Sequence, residues 1–198
     1  MNRLAFALLL ATTACGPPPA PQAPTGPHAT VRAEIDRAED AERARKHEVA
    51  RAHYEAAVAA ARDPADVHLA HREFADTLAS WGEAAAAAQH LEAAVAAVSD
   101  QAADWHDLGF LRFNAGDVPG ALTALERAKQ LAPNDVRPRL TLAVIKWKRG
   151  DRAGATAEYR GLLGLELDAT LRAKVQWALD QLAKPPPEPR PAAPQPPT

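Results

Sequence analysis

The chain has 198 residues, of which 47% are hydrophobic and 24% are charged, and its formal net charge is −2 with a pI near 6.4. This length is enough to bury the core of one domain. The near-neutral charge excludes the strong field of one sign that steers nucleic-acid binding, so we predict no nucleic-acid partner.

Residues 1–16 read MNRLAFALLLATTACG. One arginine precedes an apolar run from Leu4 to Ala11, which is too short to span a bilayer and is typical of the core of a signal peptide. Small residues then lead to Cys15, the only cysteine in the chain. With a single cysteine the chain forms no intramolecular disulfide.

The stretch Thr12-Thr13-Ala14-Cys15 resembles the lipobox of bacterial lipoprotein signals, although that family usually has an aliphatic residue at the position of Thr12. The resemblance implies that residues 1–14 are removed and that Cys15 becomes the mature N-terminus. Several acyl chains on Cys15 would anchor the protein stably to a membrane. Gly16, which is not aspartate, implies the outer membrane, on its periplasmic side. The alternative is an ordinary signal-peptidase site that leaves a free thiol.

Prolines divide the chain into three parts. Of the 18 prolines, six lie within 17–27, eight lie within 185–197 and only four lie between. Because proline breaks helix interiors, we expect a folded middle between two disordered Pro-rich segments, a linker over 15–30 and a tail over 185–198. An alternative role for the tail is as a ligand for a domain that reads proline-rich sequences.

Residues 31–67 follow the linker and are rich in Ala, Glu and Arg, which favour helix. No turn residue lies between 34 and 62, so two interpretations stay open: one long N-terminal helix, or a degenerate helical hairpin. The pair Asp63-Pro64 is typical of the start of the next helix.

The middle of the chain repeats with a period of 34 residues. Small and large residues recur in phase: Gly82, Gly116 and Gly150; Ala87, Ala121 and Ala155; Leu91, Leu125 and Tyr159. The pattern resembles the tetratricopeptide repeat (TPR), a helix-turn-helix unit of this length. In such a unit glycine makes the turn and small residues let the two helices approach. We place repeats at 68–101, 102–135 and 136–169.

The resemblance implies an all-α fold, a TPR-like α-solenoid of three to four helical hairpins, because one hairpin cannot bury its own apolar face. A single apolar stripe follows the last repeat and predicts a C-terminal capping helix over 170–184. The stripe consists of Leu171, Val175, Leu179 and Leu182.

Catalytic signatures are missing from the sequence. We find no phosphate-binding loop, nucleophile elbow, zinc-protease helix or paired cysteines, and we therefore predict no enzyme and no cofactor. His68 and His71 are spaced to share one helix face and could bind a metal, but a tetrahedral site lacks a third and a fourth ligand. We predict no metal site.

In the family that the repeats resemble, the first helix of each unit lines a concave groove. The matching positions here are His106, Phe110, Phe113 and Asn114 in one repeat, and Arg137, Leu140, Val144, Trp147 and Lys148 in the next. We expect an apolar groove with a basic edge that binds an extended segment or a helix of a protein partner. The alternative is that the aromatic residues only pack between repeats. Trp177 falls off the stripe of the last helix and ranks below the groove residues.

Together the two resemblances identify the chain as a bacterial TPR lipoprotein and imply a lipid-anchored adaptor or scaffold for protein–protein interaction in the cell envelope. Assembly of an outer-membrane, pilus or secretion complex, as by secretin pilotins, is the favoured role. One alternative is an adaptor for peptidoglycan enzymes. Another is a self-associating structural lipoprotein, in which residues 31–62 pair with a second copy to form a homodimer.

Overall fold

The computed structural model describes residues 26–185 of the chain. This span contains nine α-helices and no β-strand, and none of its helices combines the length and the apolar character needed to cross a membrane. Cys15, the predicted signal peptide and most of the two Pro-rich segments lie outside the described residues. The helices are α1 (Pro27–Arg43), α2 (His47–Ala60), α3 (Pro64–Ser80), α4 (Ala84–Ala97), α5 (Ala102–Asn114), α6 (Val118–Leu131), α7 (Val136–Lys148), α8 (Arg152–Leu163) and α9 (Ala169–Ala183).

Eight of these helices form four hairpins, α1–α2, α3–α4, α5–α6 and α7–α8, and α9 follows alone. The hairpins stack in chain order, since α2 contacts α3, α4 contacts α5 and α6 contacts α7. The terminal helix α9 packs on α8. The predicted all-α solenoid of three to four hairpins with a capping helix is therefore confirmed.

The repeat is visible in the turns of three hairpins. Gly82, Gly116 and Gly150 have φ angles of +84°, +90° and +81°, a region that residues with a Cβ rarely adopt. After the second of these glycines, the N–H of Asp117 donates to the carbonyl of Arg112 at 2.8 Å, which closes the helix as a Schellman motif. Glycine at this position thus ends the first helix and reverses the chain.

The first hairpin consists of α1 and α2, so residues 31–67 do not form one long helix, and α1 begins at Pro27, inside the linker that we predict over 15–30. The turn between α1 and α2 contains Arg45, which has a φ of +56°. The N–H of Lys46 donates to the carbonyl of Ala41 at 2.8 Å, the same closing bond as in the glycine turns. Because an arginine holds the position that glycine holds elsewhere, this turn is invisible in the sequence.

Aspartates begin most of the later helices. The side chain of Asp63 accepts from the N–H groups of Ala65 and Asp66, both at 3.0 Å, so α3 begins at Pro64, ahead of the repeat boundary that we place at 68. Each such cap contributes about 1 kcal/mol. The aspartates that cap α6, α7, α8 and α9 in the same way are Asp117, Asp135, Asp151 and Asp168.

Gly109 marks the closest approach of α5 and α6. A Cβ added to it would lie 2.6 Å from Cγ of Leu125 and 3.0 Å from the carbonyl oxygen of Ala121. The first distance is shorter than real Cβ contacts and the second is among the tightest of them, and the carbonyl belongs to a helix backbone that cannot swing aside. The glycine at position 109 is therefore required by the close packing of α5 against α6.

We expect Gly109→Ala to lower the free energy of unfolding by about 1 kcal/mol. Alanine favours helix over glycine by about 1 kcal/mol, but overpacking a filled core costs about 1–3 kcal/mol. Urea unfolding followed by circular dichroism measures the difference. A more stable variant would show that α5 and α6 have room for the methyl group.

The buried side chains form three groups along the solenoid. The largest lies mainly in α1–α5 and the last lies in α7–α9. Between them a small group joins α6 to α7 and consists of Ala121, Leu125, Leu142 and Ile145. The fully buried apolar contact between α6 and α7 therefore consists of these four side chains.

Glu158 on α8 is a buried carboxylate, only 5% exposed. It accepts from Lys129 on α6 at 3.1 Å, and from Lys146 and Arg139 on α7 at 2.8 Å and 3.3 Å. Burial alone would raise the pKa of Glu158, but the hydrogen bonds from Lys146 and Lys129 outweigh it and hold the pKa below its ordinary value of 4.5. One side chain thus ties three helices together.

Candidate protein-binding face

We use the name inner face for the exposed side of the first helices α1, α3, α5, α7 and α9. Neighbouring first helices are in contact along the whole series. α1 touches α3 and α5 touches α7, while Arg72 of α3 pairs with Asp104 of α5 and Trp147 of α7 lies beside Trp177 of α9. The inner face is therefore one continuous surface.

One register position runs along the inner face. Each first helix buries two residues spaced i,i+3, such as Leu108 and Leu111 on α5. The residue two places after the first residue of this pair is rotated from it by about 200° around the helix axis. Its side chain therefore points away from the core. From α3 onwards the residues at this position are Asp76, Phe110, Val144 and Trp177. Along these helices the inner face thus changes from acidic in α3 to apolar in α5, α7 and α9.

The part of the inner face between α3 and α5 is an ion cluster. Arg72 lies 3.1 Å from Asp104 and 2.9 Å from Asp107, and His68 lies 2.6 Å from Asp104. Burial opposes ionisation of Asp107, but hydrogen bonds from His106 and Arg72 hold its pKa below the ordinary value. Ion pairs within the chain therefore occupy this part of the inner face.

The middle of the inner face is built by α5. Nε2 of His106 lies 3.2 Å from the hydroxyl of Thr141 on α7. Phe113 packs against the small buried group that joins α6 to α7, and Nζ of Lys148 lies 5.5 Å from its ring centroid, a cation–π contact. Phe110 is 50% exposed and belongs to none of the three buried groups. Phe113 is thus used in packing, whereas Phe110 is open to a partner.

A cavity of about 340 Å³ lies between α7, α8 and α9, and we call it the aromatic pocket. Trp147 stands between the buried Tyr159 and the exposed Trp177, with ring centroids 6.1 Å and 6.2 Å away. The other lining residues are Leu140, Leu171, Lys174, Val175 and Ala178. Lys174 is the one charged side chain among the described residues that line it.

The nine predicted groove residues differ in exposure. Phe110, Asn114, Arg137 and Lys148 are exposed, and His106, Phe113, Leu140, Val144 and Trp147 are partly buried. Arg137 is a weaker basic edge than we expect from the sequence, because its guanidinium lies 2.6 Å from the capping carboxylate of Asp135 and holds the pKa of that carboxyl below its ordinary value. The basic edge consists of Lys148 and Lys174. Binding of a partner by these residues stays a prediction.

Trp177 is an inner-face residue that an alignment with a fixed period of 34 residues misplaces. A strict shift of 34 residues aligns Trp177 with Ala143, which is fully buried. The helix α9 is offset by one residue, however, because its buried Val175 corresponds to Leu142. Trp177 then corresponds to Val144 on the inner face, and it is 60% exposed. An alignment of buried stripes, in place of the fixed period, would find it.

The two histidines considered as metal ligands have different partners. His68 contacts Asp104, whereas Nδ1 of His71 lies 3.0 Å from Nδ1 of His90 on α4. Within 26–185 no group of three or more His, Cys, Asp or Glu side chains is arranged to hold a metal ion. Burial lowers the pKa of His71, and burial together with the charges of His71 and Arg51 lowers the pKa of His90. Folding therefore favours the neutral form of both rings.

We expect the pair of His71 and His90 to destabilise the folded chain as the pH falls from 7.5 to 5.5. A histidine with a lowered folded-state pKa binds protons more weakly in the folded chain than in the unfolded one. Its destabilising effect is absent well above the ordinary value of 6.5 and grows as the pH falls towards the folded-state pKa. In His90→Gln, the Tm should fall less between pH 7.5 and pH 5.5 than it does in the parent chain. The exposed His47 provides the control His47→Gln, in which the Tm should change with pH as it does in the parent chain. An equal change of Tm with pH in His90→Gln and in the parent chain would contradict the assignment of this effect to the His71–His90 pair.

Solved structures with the same architecture come from several systems. The crystal structure of MamA protein matches with a TM-score of 0.62 at 18% identity, covering 77% of this chain and 86% of that one. The Yersinia enterocolitica type III secretion chaperone SycD, solved with a peptide of the translocator YopD, matches with a TM-score of 0.53 at 16% identity, covering 57% and 88%. Pseudomonas aeruginosa pilF matches with a TM-score of 0.54 at 13% identity, covering 78% and 72%. At these identities the likeness shows the fold, a TPR-like solenoid.

No protein-family model matches the sequence, and no curated protein matches it.

Proposed function

We propose that this chain, whose fold is that of TPR solenoids, is a lipid-anchored adaptor of the bacterial cell envelope. It binds a protein partner through the apolar half of the inner face. One observation carries this proposal: of the three large apolar side chains exposed within 26–185, Phe110 and Trp177 share one register position on one face. Exposed apolar surface of this kind marks interaction sites. Proteins of this fold are typically non-catalytic scaffolds and adaptors.

The anchor is the second part of the proposal and rests on the lipobox resemblance at Cys15, which lies outside the described residues. Lipidation there would hold the solenoid at the periplasmic side of the outer membrane. Feeding cells an alkyne-labelled palmitate and detecting the label on the chain tests it, with Cys15→Ser as the variant that should lose both the label and the membrane fraction. A labelled Cys15→Ser chain would refute the anchor.

The envelope process that we propose is assembly of an outer-membrane, pilus or secretion complex. Two solved structures that share the fold support this choice by name, pilF of Pseudomonas aeruginosa and a type III secretion chaperone bound to a translocator peptide. The peptide complex is an example of this fold receiving a protein segment. An adaptor for peptidoglycan enzymes is the alternative role for the same face and anchor.

Self-association through residues 31–62 is not the function that we propose. The apolar residues of α1 that could pair with a second copy are covered within the chain, since Val31, Ile35 and Ala38 are at most 1% exposed. Of the large apolar side chains on the first hairpin, Val49 alone is exposed among the described residues.

In-cell photo-crosslinking tests the adaptor function. A photoreactive phenylalanine at position 110 of the full-length chain should capture one envelope protein. In pull-downs with the chain that lacks the photoreactive residue, Phe110→Ala and Trp147→Ala should then lower the recovery of that protein at least about tenfold. Truncating an aromatic anchor costs about 2 kcal/mol or more. Val49→Ala, an exposed apolar residue on α2, is the matched control. Unchanged recovery with both inner-face variants would refute the assignment.

A further inference from the structure

We infer that the aromatic pocket is an anchor site for one large apolar side chain of an acidic protein segment. The inference rests on the proposed function and deepens it, because it names the chemistry of the partner at one place on the inner face. The pocket extends beyond the groove positions predicted from the repeats, since it depends on Lys174 and Trp177 of the capping helix.

The size and the lining of the pocket suit a side chain. Its volume of about 340 Å³ is at the lower end of the range of about 300–1,000 Å³ for ligand sites. Tyr159 is 5% exposed and Val175 is 1% exposed, so both form a buried floor. Trp147 and Trp177 form an aromatic wall, and the outer indole is 60% exposed. An apolar side chain seated here would cover that indole and remove it from water.

The position of α9 keeps this wall open. Among the described residues α9 is the last helix, so no second helix packs beside it as α8 does beside α7. The side of α9 turned away from the pocket is polar, with Gln176 donating to Asp180 at 3.1 Å. The apolar surface at the end of the solenoid is therefore confined to the inner face, where Trp177 lies.

Charge selects the kind of segment. Lys174 lines the pocket and Lys148 follows Trp147 in the chain, and the ion pairs found within 26–185 use Lys129 and Lys146 but neither of these two lysines. The unneutralised ammonium group of Lys174 at the apolar pocket attracts a carboxylate on the ligand, whereas Nζ of Lys148 lies over the ring of Phe113 on α5.

The charges at the opposite end of the inner face favour the same placement of an acidic segment. Glu42, Glu73 and Asp76 line one depression between α1 and α3, and burial together with the charge of Asp76 raises the pKa of Glu73. A segment with several carboxylates is repelled from α1 and α3 and attracted to α7 and α9. The geometry therefore points to an apolar anchor flanked by Asp or Glu, seated at the C-terminal end of the solenoid.

Selection from a phage library of random peptides about twelve residues long, on the full-length chain, tests the inference. Recovered peptides should carry Phe, Trp or Leu with an Asp or Glu within about one helical turn. Their affinity, measured by fluorescence anisotropy of the synthetic peptides, should fall at least about tenfold with Trp177→Ala, which corresponds to about 1.4 kcal/mol. Lys174→Glu should reverse the preference between an acidic peptide and its lysine-substituted copy, Lys174→Arg should keep it, and Val49→Ala should change nothing.

Three results would overturn the inference: recovered peptides without carboxylates, peptides that bind Trp177→Ala as well as the parent, or a selection that yields no peptide dependent on Trp177. A fourth would reassign the occupant: if deletion of residues 186–198 raises the affinity for acidic peptides about tenfold or more, the chain's own Pro-rich tail occupies the pocket. The proposed function fails separately. If Phe110→Ala loses the envelope partner while Trp177→Ala and Lys174→Glu keep it, the adaptor function stands and the pocket does not.

Discussion

Replacing Glu158 by Gln is expected to lower the free energy of unfolding by about 3 kcal/mol, the lower end of the range for breaking a buried ion pair. The variant keeps the size of the side chain but leaves Lys129, Arg139 and Lys146 without their shared carboxylate. The lower end applies because these three cations are 20–23% exposed and regain some hydration. Urea unfolding at pH 7 measures the loss.

Glu126→Gln is the matched control, because Glu126 pairs with two of the same lysines but is 40% exposed, and its loss should cost under about 1 kcal/mol. The pH dependence supplies a second check. Since folding lowers the pKa of Glu158, its stabilising effect is full above the ordinary value of 4.5 and is lost as the pH falls through the folded-state pKa. The difference between the parent and Glu158→Gln should therefore shrink below pH 4.5. A constant difference down to pH 3 would contradict the charge-based explanation.

Leu142→Ala is expected to cost about 3 kcal/mol and also to divide the unfolding transition. Leu142 is fully buried in the small group that joins α6 to α7, and Leu→Ala changes at such sites cost about 2–5 kcal/mol. In a stacked array the total stability is a sum of repeat terms and interface terms. Weakening the apolar contact between α6 and α7 should let α7–α9 open before α1–α4. Hydrogen exchange of peptides from the two regions, followed by mass spectrometry, resolves the order.

Leu91→Ala is the control for this division. Leu91 is equally buried but lies inside the largest group, so its loss should lower stability without separating the two regions. If Leu142→Ala and Leu91→Ala shift the hydrogen exchange of all helices together, the solenoid unfolds as one cooperative unit. The small buried group between α6 and α7 then does not separate two regions of different stability.

The repeats could be predicted from the sequence because glycine carries the signal of the turn. Gly82, Gly116 and Gly150 stand in phase and each adopts a positive φ. The first hairpin gave no such signal, since Arg45 adopts a positive φ that costs a residue with a Cβ about 1–2 kcal/mol. Burial of Ile35 and Tyr54 offsets that cost through tertiary contacts, and contacts of this kind have no local pattern.

The candidate site could be predicted in part for similar reasons. Helical spacing alone places Phe110 opposite a buried pair, so its exposure follows from the sequence. The pairing of Arg137 with Asp135 depends on a side-chain conformation at a helix start, which spacing does not determine. The place of Trp177 depends on a single residue of offset in the loop between α8 and α9, and a fixed period conceals an offset of that size.

The packing between α6 and α7 fixes the distance between two parts of the inner face. Four buried apolar residues lie at this contact, and the ion pair of Lys129 on α6 with Glu158 on α8 crosses it. Phe110 lies on one side of this contact and Trp147 on the other, so a change in the packing there alters the distance between the two aromatic side chains. That packing would then determine the width of the protein segment that fits between the two aromatic side chains.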